Sequence, residues 1–509
     1  MRARRQIGTS LLLAALLLAV GGSTAASASQ SSSSARENAR EALRRATHLL
    51  DAPKDRDLSL SAPRDATTTL LSLSRSFSSL APPERRRARA LLARPTDNPD
   101  PDGSQYTAPE QTPLCSTHFC VHYVGSGADA PDPADPNANG VPDYVEQVSS
   151  VAETVYTVEN GTLGWQAPRP DGVRGGDPRV DIYLVNLPGG LFGYAATDLG
   201  QKGRSQYGYL VVDDDYSVID FPGTVPLADL QVTLAHEYNH VLQFGYDIGQ
   251  DLWFYEASAT WIEDYVYPDL NDYLRYIKRW AFRSKVPITK ENIKIYGTAV
   301  LNHWLAGRYG PAVVRMAWER AASVKPAGFS VDAYTAGIKT AARRAGRGAG
   351  GKDLAREFAR FAFATAEWQT PGAFPYGDAP LWDDVKRRGK LRAGRFLVRR
   401  LSHTGYMIFD VRPRQVPKIR LLGGARRGTR AAFGLVCREG PVATGKVRTK
   451  MRITKRGGVR GVTLRNPSRC DRISAVLVNA DPSQAGFAFG DWLYRHDHER
   501  FAATLLLRG

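Results

Sequence analysis

The sequence lacks a long apolar run, and this limits how the protein can meet a membrane. No stretch after residue 28 is apolar enough to span a bilayer, which takes about 20 residues. Near the N-terminus, arginines at positions 2, 4 and 5 precede a shorter apolar run, Leu11 to Val20, and Ala26-Ser27-Ala28 follows it. This layout predicts a secretory signal peptide over residues 1–28, with an uncleaved N-terminal anchor as the alternative. We therefore expect a secreted, extracellular protein without an integral membrane segment.

Cysteine is also scarce, since the chain has only four. Four cysteines allow three pairings, and the local pairing is favoured because a short loop closes most readily. We predict the disulfides Cys115–Cys120 and Cys437–Cys470, which export from the cytosol would permit. A thiolate metal site is the alternative for either pair.

Acidic residues are fewer than basic ones, which gives a formal net charge of +17 and a pI near 9.7. Such a balance can accompany nucleic acid, an anionic cell surface or an acidic substrate. The basic residues are mostly arginines dispersed through Ala- and Gly-rich sequence, and no aromatic-interleaved basic motif of a nucleic-acid module is present. We expect no specific nucleic-acid partner, and a solubilising surface that can contact an anionic cell envelope weakly.

Changes in composition divide the rest of the chain into three regions. Residues 29–110 combine a serine run, helical patterns and a Pro/Asp-rich stretch, which predicts a helical N-terminal region with a linker. That region is either a propeptide or an ordinary helical subdomain. Residues 111–385 hold strand patterns followed by long helical patterns and predict an α+β domain. Regularly spaced short strands over residues 394–509 predict a C-terminal β-sandwich.

Histidine is uncommon, with nine in the chain, yet two of them stand in the pattern His236-Glu237-x-x-His240. On a helix, His236 and His240 lie one turn apart on the same face, so both imidazoles can bind one ion. Glu237 lies about 100° further round the helix, beside the ion, where it can take a proton from zinc-bound water. Leu227, Leu230, Leu234 and Val241 form an apolar stripe on this helix, which argues against two histidines on a solvated face.

A third metal ligand is predicted 16 residues after His240, at Glu256. Glu256 lies in an apolar helical pattern with small neighbours, and a buried carboxylate needs a partner such as a metal ion. Glu263, two turns later on the same face, is the rival ligand. It is followed by Asp264 and Tyr265, a more polar setting, so the cost of burying a charge favours Glu256.

The histidine–glutamate pattern followed by a tryptophan-flanked glutamate resembles the glutamate zincins, or gluzincins. The chain is more closely similar to a group of secreted bacterial zinc metalloproteases that also carry a Tyr-Pro-Asp-x-Asn-Asp-Tyr segment, here Tyr267 to Tyr273. The resemblance implies a zincin-like domain in which His236, His240 and Glu256 bind zinc and Glu237 is the general base. Its substrate would be a peptide or protein.

Two positions depart from many glutamate zincins, since Ala257 and Thr260 stand where a glycine and a histidine-orienting carboxylate are often found. The residues that orient the histidines are therefore unassigned, with Asp229 as a candidate. Zincins of this class often use Tyr or His to stabilise the oxyanion, and Tyr296 and His303 are candidates here. The alternative for His303 is an ordinary buried helix histidine.

A second metal-binding pattern, D-x-[DN]-x-[DN]-G-x5-E, occupies residues 135–146. Calcium takes six to eight oxygen ligands, and Gly140 suits the sharp turn of such a loop. We expect a structural calcium site, with a metal-free Asp/Asn-rich turn as the alternative. Asp213-Asp214-Asp215 is either a further cation site or an exposed turn. The residues predicted to bind calcium in the loop are Asp135, Asn137, Asn139, Val141 through its carbonyl, Asp143 and Glu146.

These patterns together predict a secreted zinc-dependent peptidase with a structural calcium ion. One alternative is a non-catalytic cell-envelope binding protein whose zincin domain is structural. The intact Glu237 disfavours this alternative, because a structural zinc site has no need of a base. A zinc hydrolase acting on non-peptide bonds is the other alternative, since the metal chemistry is shared.

Overall fold

The computed structural model describes residues 33–51, 65–97, 106–188, 190–292, 294–323, 330–348, 352–412, 416–488 and 491–508. The predicted signal peptide, residues 1–28, lies outside these ranges. The described chain mixes helices with several β-sheets, so the expected α+β class is confirmed. Within the described ranges, none of the helices has the length and apolarity that a bilayer span requires.

The described part of the N-terminal region forms three helices, α1 (33–50), α2 (Thr67–Ser76) and α3 (Pro82–Leu91). Proline at the first position of α3 suits a helix start, and the Glu84 side chain accepts the backbone N–H of Ala81 (2.7 Å). The buried faces of these helices pack on tyrosines of the first sheet, among them Tyr183, Tyr194 and Tyr209. The N-terminal helices are therefore docked on the domain that follows them.

The first sheet has five strands in the order β1-β2-β3-β5-β4. Strands β2, β3 and β5 run parallel, and β1 and β4 are antiparallel edges. The central strands are buried on both faces, which explains their nearly continuous apolar sequence. The strands are β1 (Leu114–Cys115), β2 (Phe119–His122), β3 (Val180–Val185), β4 (Gly193–Ala196) and β5 (Tyr209–Asp213).

Helices cover the other face of this sheet and fill the rest of the domain. The central helix α5 is buried on nearly every side from Leu230 onward, although Leu227 in its first turn is 39% exposed. The helices are α4 (Asp143–Tyr156), α5 (Pro226–Asp247), α6 (Leu252–Val266), α7 (Leu274–Phe282), α8 (Lys294–Gly297), α9 (Ala299–Tyr309), α10 (Ala312–Ser323), α11 (Ser330–Arg344) and α12 (Leu354–Ala364).

Three further sheets lie in the described C-terminal part of the chain. A five-stranded sheet has the order β11-β10-β13-β8-β6, a four-stranded sheet has the order β12-β9-β16-β7, and β14 and β15 pair separately. The strands are β6 (Arg387–Leu391), β7 (Phe396–Leu401), β8 (Gly405–Val411), β9 (Lys418–Ala425), β10 (Ala431–Glu439), β11 (Lys446–Thr454), β12 (Gly458–Arg465), β13 (Arg472–Asn479), β14 (Gln484–Ala488), β15 (Asp491–Tyr494) and β16 (Glu499–Arg508).

The two larger C-terminal sheets enclose one apolar core. Phe433 and Leu435 of the first sheet meet Ile419, Leu421 and Phe501 of the second. The outer face of the five-stranded sheet packs on the helical domain, where Tyr406 of β8 contacts Phe358 of α12. This is the layered arrangement of a β-sandwich.

Both predicted disulfides are present. Cys115 and Cys120 join β1 to β2, with 4.1 Å between their Cα atoms. Cys437 of β10 is bonded to Cys470, just before the neighbouring strand β13. The thiolate alternative is wrong for both pairs, because among the described residues no cysteine is free.

Candidate metal centre

Helices α5 and α6 bring the predicted zinc ligands together. His236 and His240 project from α5 toward Glu256 on α6, and all three side chains are buried. Glu256 Oε2 lies 3.2 Å from His236 Nε2 and 3.7 Å from His240 Nε2. The small residues around Glu256 allow this close approach, because Ala257 and Ser258 are themselves fully buried against neighbouring helices.

A fourth residue, Asp65, joins this cluster from the N-terminal region. One ligand atom from each of Asp65, His236, His240 and Glu256 lies within 4.8 Å of the others. Asp65 directly precedes α2 and is buried. Sequence reasoning missed it, because no spacing relates an aspartate in one region to histidines on a helix of the next.

The donor atoms of the cluster suit a zinc ion. Two imidazoles and carboxylate oxygens are ligands that zinc prefers in tetrahedral sites. Among the described residues, His240 Nε2 and Glu256 Oε1 are buried without a hydrogen-bond partner. Buried polar atoms seldom lack partners in folded proteins, and an ion at this position would satisfy both.

Hydrogen bonds on the far side of each ring fix the orientation of the two histidines. His236 Nδ1 lies 2.5 Å from Glu263 Oε1, and His240 Nδ1 lies 2.8 Å from Gln243 Oε1. Because the Gln243 oxygen can only accept, His240 carries its proton on Nδ1, which leaves Nε2 free to bind a metal. Glu263 therefore lies behind His236 rather than among the four converging atoms. The candidate from sequence, Asp229, lies two turns earlier in α5.

Gln243 is itself held by a chain of polar contacts through the core. Its Nε2 donates to Asn239 Oδ1 (2.6 Å) and to Ser258 Oγ (3.1 Å). Asn239 in turn donates to Glu159 (2.6 Å), a buried carboxyl whose pKa burial raises well above its usual range. Sequence reasoning missed Gln243, although its position three residues after His240 places it on the same helical face.

The general-base candidate Glu237 and the oxyanion candidate Tyr296 also reach the cluster. Glu237 Oε2 accepts a hydrogen bond from Thr67 Oγ1 (2.6 Å), and the Tyr296 hydroxyl donates to Asp65 Oδ2 (2.7 Å). His303 lies elsewhere, with its ring stacked on Tyr376 at 4.1 Å between centroids. Burial lowers the pKa of His303 to about 3, which fits the buried helix histidine named as its alternative.

Carboxyl groups in and beside the cluster lie close enough to oppose one another's ionisation. Burial, followed by repulsion from Glu256 and Glu237, raises the pKa of Asp65 to about 7. Burial opposes the ionisation of Glu256, but the contact with His236 and the nearby His240 ring lower its pKa to about 2. Burial likewise disfavours the charged histidines, yet the Glu256 carboxylate raises the pKa of both. The site therefore favours positive charge, whether as a proton or as a cation.

The predicted calcium loop is folded back on itself, since its first and last acidic residues, Asp135 and Glu146, both accept hydrogen bonds from Asn139. Asp135 accepts the backbone N–H groups of Asn139 (3.1 Å) and Gly140 (2.8 Å), and Gly140 has a φ of 85°. Glu146, in the first turn of α4, accepts the side-chain amides of Asn137 (2.9 Å) and Asn139 (2.7 Å). Val141 and Asp143 lie between Asn139 and Glu146 in this loop. The loop is largely exposed, so an ion could enter it from solvent.

The acidic run after β5 is only partly exposed, so the expected exposed turn is wrong for two of its three residues. Asp213 and Asp214 are buried, while Asp215 is exposed. Asp213 accepts the backbone N–H groups of Leu187 (3.1 Å) and Tyr216 (2.8 Å), which is why a carboxylate ends this buried strand. Burial and the neighbouring Asp213 raise the pKa of Asp214 to about 8.

Comparison with known proteins does not assign the chain to a family. No protein-family model matches the sequence, and no curated protein matches it. Among solved structures, 21% of the chain is similar to 74% of a chain described as "Family 16 Carbohydrate Binding Module-2", with 13% sequence identity and a TM-score of 0.15. A likeness this slight supports no conclusion about fold or function.

Proposed function

We propose that this protein is a zinc-dependent peptidase, with His236, His240 and Glu256 as the zinc ligands. The observation that carries the proposal is the convergence of both Nε2 atoms on the Glu256 carboxylate, with Glu237 beside them. A zinc ion held there would act as a Lewis acid toward water and toward a substrate carbonyl. A site that served structure alone would have no use for the adjacent base.

Glu237 is the residue that moves the proton in this proposal. Its carboxylate takes a proton from the attacking water and delivers it to the leaving nitrogen, as a general base and then a general acid. The site is buried, and exclusion of water strengthens each electrostatic contact within it. The Tyr296 hydroxyl, already directed at an oxygen of Asp65, is placed to donate to the oxyanion of a substrate bound in the same position.

The edge of the first sheet favours a peptide over a small-molecule substrate. Strand β4 lies at that edge, and an edge strand can add an extended peptide through backbone hydrogen bonds. A segment of this chain already lies there, since Asp65 forms a parallel bridge with Gly193. This edge therefore favours a peptidase over a zinc hydrolase of other bonds.

Two further parts complete the proposal. The loop over residues 135–146 holds a structural calcium ion through the carboxylates of Asp135 and Glu146 and the neighbouring oxygens of Asn137 and Asn139. The N-terminal sequence directs the protein out of the cell, where calcium is plentiful. Weak contact of the basic surface with an anionic cell envelope belongs to the same proposal.

The test compares Glu237→Gln with Glu291→Gln, the same chemical change at an exposed position. Both proteins are loaded with zinc, and their cleavage of a diverse peptide library is followed by mass spectrometry. Glu237→Gln should keep its zinc and lose about 10²- to 10⁴-fold in rate, the usual contribution of a general base. Equal, measurable rates in wild type and Glu237→Gln would contradict the proposal. So would folded, zinc-loaded wild type that cleaves no peptide after limited proteolysis of its N-terminal region.

A further inference from the structure

The residues at the start of α2, within the N-terminal region, lie at the centre of the candidate site. Asp65 supplies a carboxylate among the predicted zinc ligands, and Thr67 hydrogen-bonds to the predicted base. We propose that the N-terminal region, which the structure describes over residues 33–51 and 65–97, is an inhibitory domain that closes the metal site through Asp65 and Thr67. This inference rests on the proposed zinc site and extends it to regulation.

Asp65 blocks the position that a catalytic zinc site must leave open. Catalytic sites have three protein ligands and a fourth position for water or substrate, whereas a site with four protein ligands is closed. With Asp65 bound beside His236, His240 and Glu256, the ion would have four protein ligands. Tyr296 holds the second oxygen of Asp65 (2.7 Å), so this carboxylate is fixed from both sides.

Thr67 blocks both the predicted base, Glu237, and the edge strand β4, where a peptide would bind. Its hydroxyl donates to Glu237 Oε2 (2.6 Å) and accepts the backbone N–H of Ala195 in β4 (2.8 Å). Asp65 pairs with Gly193, two residues earlier in the same strand. A peptide adding to β4 would have to displace both contacts, because the backbone groups it needs are already used.

Packing of α2 holds this segment in place. Leu70, Leu71 and Leu73 are buried, and Leu71 enters the same apolar core as the residues of α5. At the end of α2, Arg75 donates to the backbone carbonyls of Ile248 and Gln250 just after α5. Asp65 and Thr67 therefore belong to a region that is docked firmly on the helices around the site.

A second anchor lies at the far end of the N-terminal region. Arg94 is buried, and its guanidinium pairs with Asp181 of β3 and with Asp198 (2.8 Å). Removing one partner of a buried ion pair leaves an uncompensated charge, so this end resists release. We expect the region to leave the site only after proteolysis, which makes the intact chain a zymogen.

The experiment uses the full chain with cobalt(II) in place of zinc, because cobalt absorption reports ligand changes at the metal. A small hydroxamate, which needs an open coordination position, is titrated into wild type, Asp65→Asn and the control Asp51→Asn, an exposed aspartate of the same region. Asp65→Asn should keep the metal and bind hydroxamate at least about tenfold more tightly than wild type, since the competing carboxylate is gone. Asp51→Asn should match wild type.

A second variant, Thr67→Val, tests the block on the base without touching the metal ligands. Alone it should leave the cobalt spectrum and the hydroxamate affinity as in wild type, because Asp65 still closes the metal. Combined with Asp65→Asn, it should raise peptide cleavage over Asp65→Asn alone, because the base and the edge of β4 are then also released. Unchanged hydroxamate affinity in metal-loaded Asp65→Asn, or loss of the metal from that variant, would overturn the inhibitory role. Tight hydroxamate binding by the double variant Asp65→Asn/Thr67→Val without cleavage of any peptide would instead uphold the closed site and count against the peptidase proposal.

Discussion

Replacing Glu263 tests whether this residue orients the zinc ligand His236 or binds zinc itself. Glu263 lies 2.5 Å from Nδ1 of His236, on the side of the ring away from the cluster. Loss of such a partner costs about 10- to 100-fold in metal affinity. Glu263→Ala should therefore weaken zinc binding within that range. Glu263→Gln should weaken it less, because the amide oxygen still accepts the ring N–H.

If Glu263 were the zinc ligand instead, replacing Glu263 would cost more zinc affinity than replacing Glu256. Zinc binding worth about 10–16 kcal/mol in sites of four ligands corresponds to ~2.5–4 kcal/mol for each ligand, or about 10²- to 10³-fold in affinity. On the present geometry Glu256→Gln should suffer that larger loss.

Competition for zinc against a chromophoric chelator at constant pH measures all three variants, with melting curves to confirm that each is folded. Glu291→Gln, at an exposed position, serves again as the control. A change at Asn302 would not serve, because Asn302 is buried and its side chain is hydrogen-bonded. Weaker binding by Glu263→Gln than by Glu256→Gln would refute the assignment of Glu256.

Three further predictions concern parts of the protein away from zinc. Chelating calcium should lower the melting temperature of wild type, because calcium at a hundred times its Kd stabilises the folded state by about 2.7 kcal/mol. Asp135→Ala should remove this response, whereas the control Asp132→Ala, outside the loop, should keep it. The pKa of Asp214 is raised to about 8 by burial, so the folded state holds a proton that the unfolded state releases, and stability should fall as pH rises from the unfolded pKa through 8. Urea unfolding at pH 5 and pH 9, with chelator present, should show a smaller pH effect in Asp214→Asn, and an equal effect would contradict the assignment. Removing Cys437–Cys470, with a sequence separation of 33, should lower the free energy of unfolding by about 4 kcal/mol. Removing Cys115–Cys120, with a separation of 5, should lower it by about 2 kcal/mol, because the shorter loop gains less freedom on unfolding. Denaturant unfolding of the two double serine variants measures both, and a reversed order would refute the prediction.

The sequence determined the features that depend on neighbours along the chain. Helical periodicity alone places His236 and His240 on one face, and α5 does so. The calcium loop and both disulfides join residues that are close in sequence, so spacing was enough to propose them. The α+β class followed from the order of strand and helix patterns for the same reason.

Features that depend on how one element packs against another were decided only by the tertiary structure. Glu256 and Glu263 share a face of α6, and the offset between α5 and α6 determines which of them meets Nε2 of His236 and which meets Nδ1. The burial of Asp214 likewise follows from elements that cover the end of β5. Asp65 is the clearest case, because it reaches the cluster through the docking of a whole region, and no local pattern records a contact between residues so far apart.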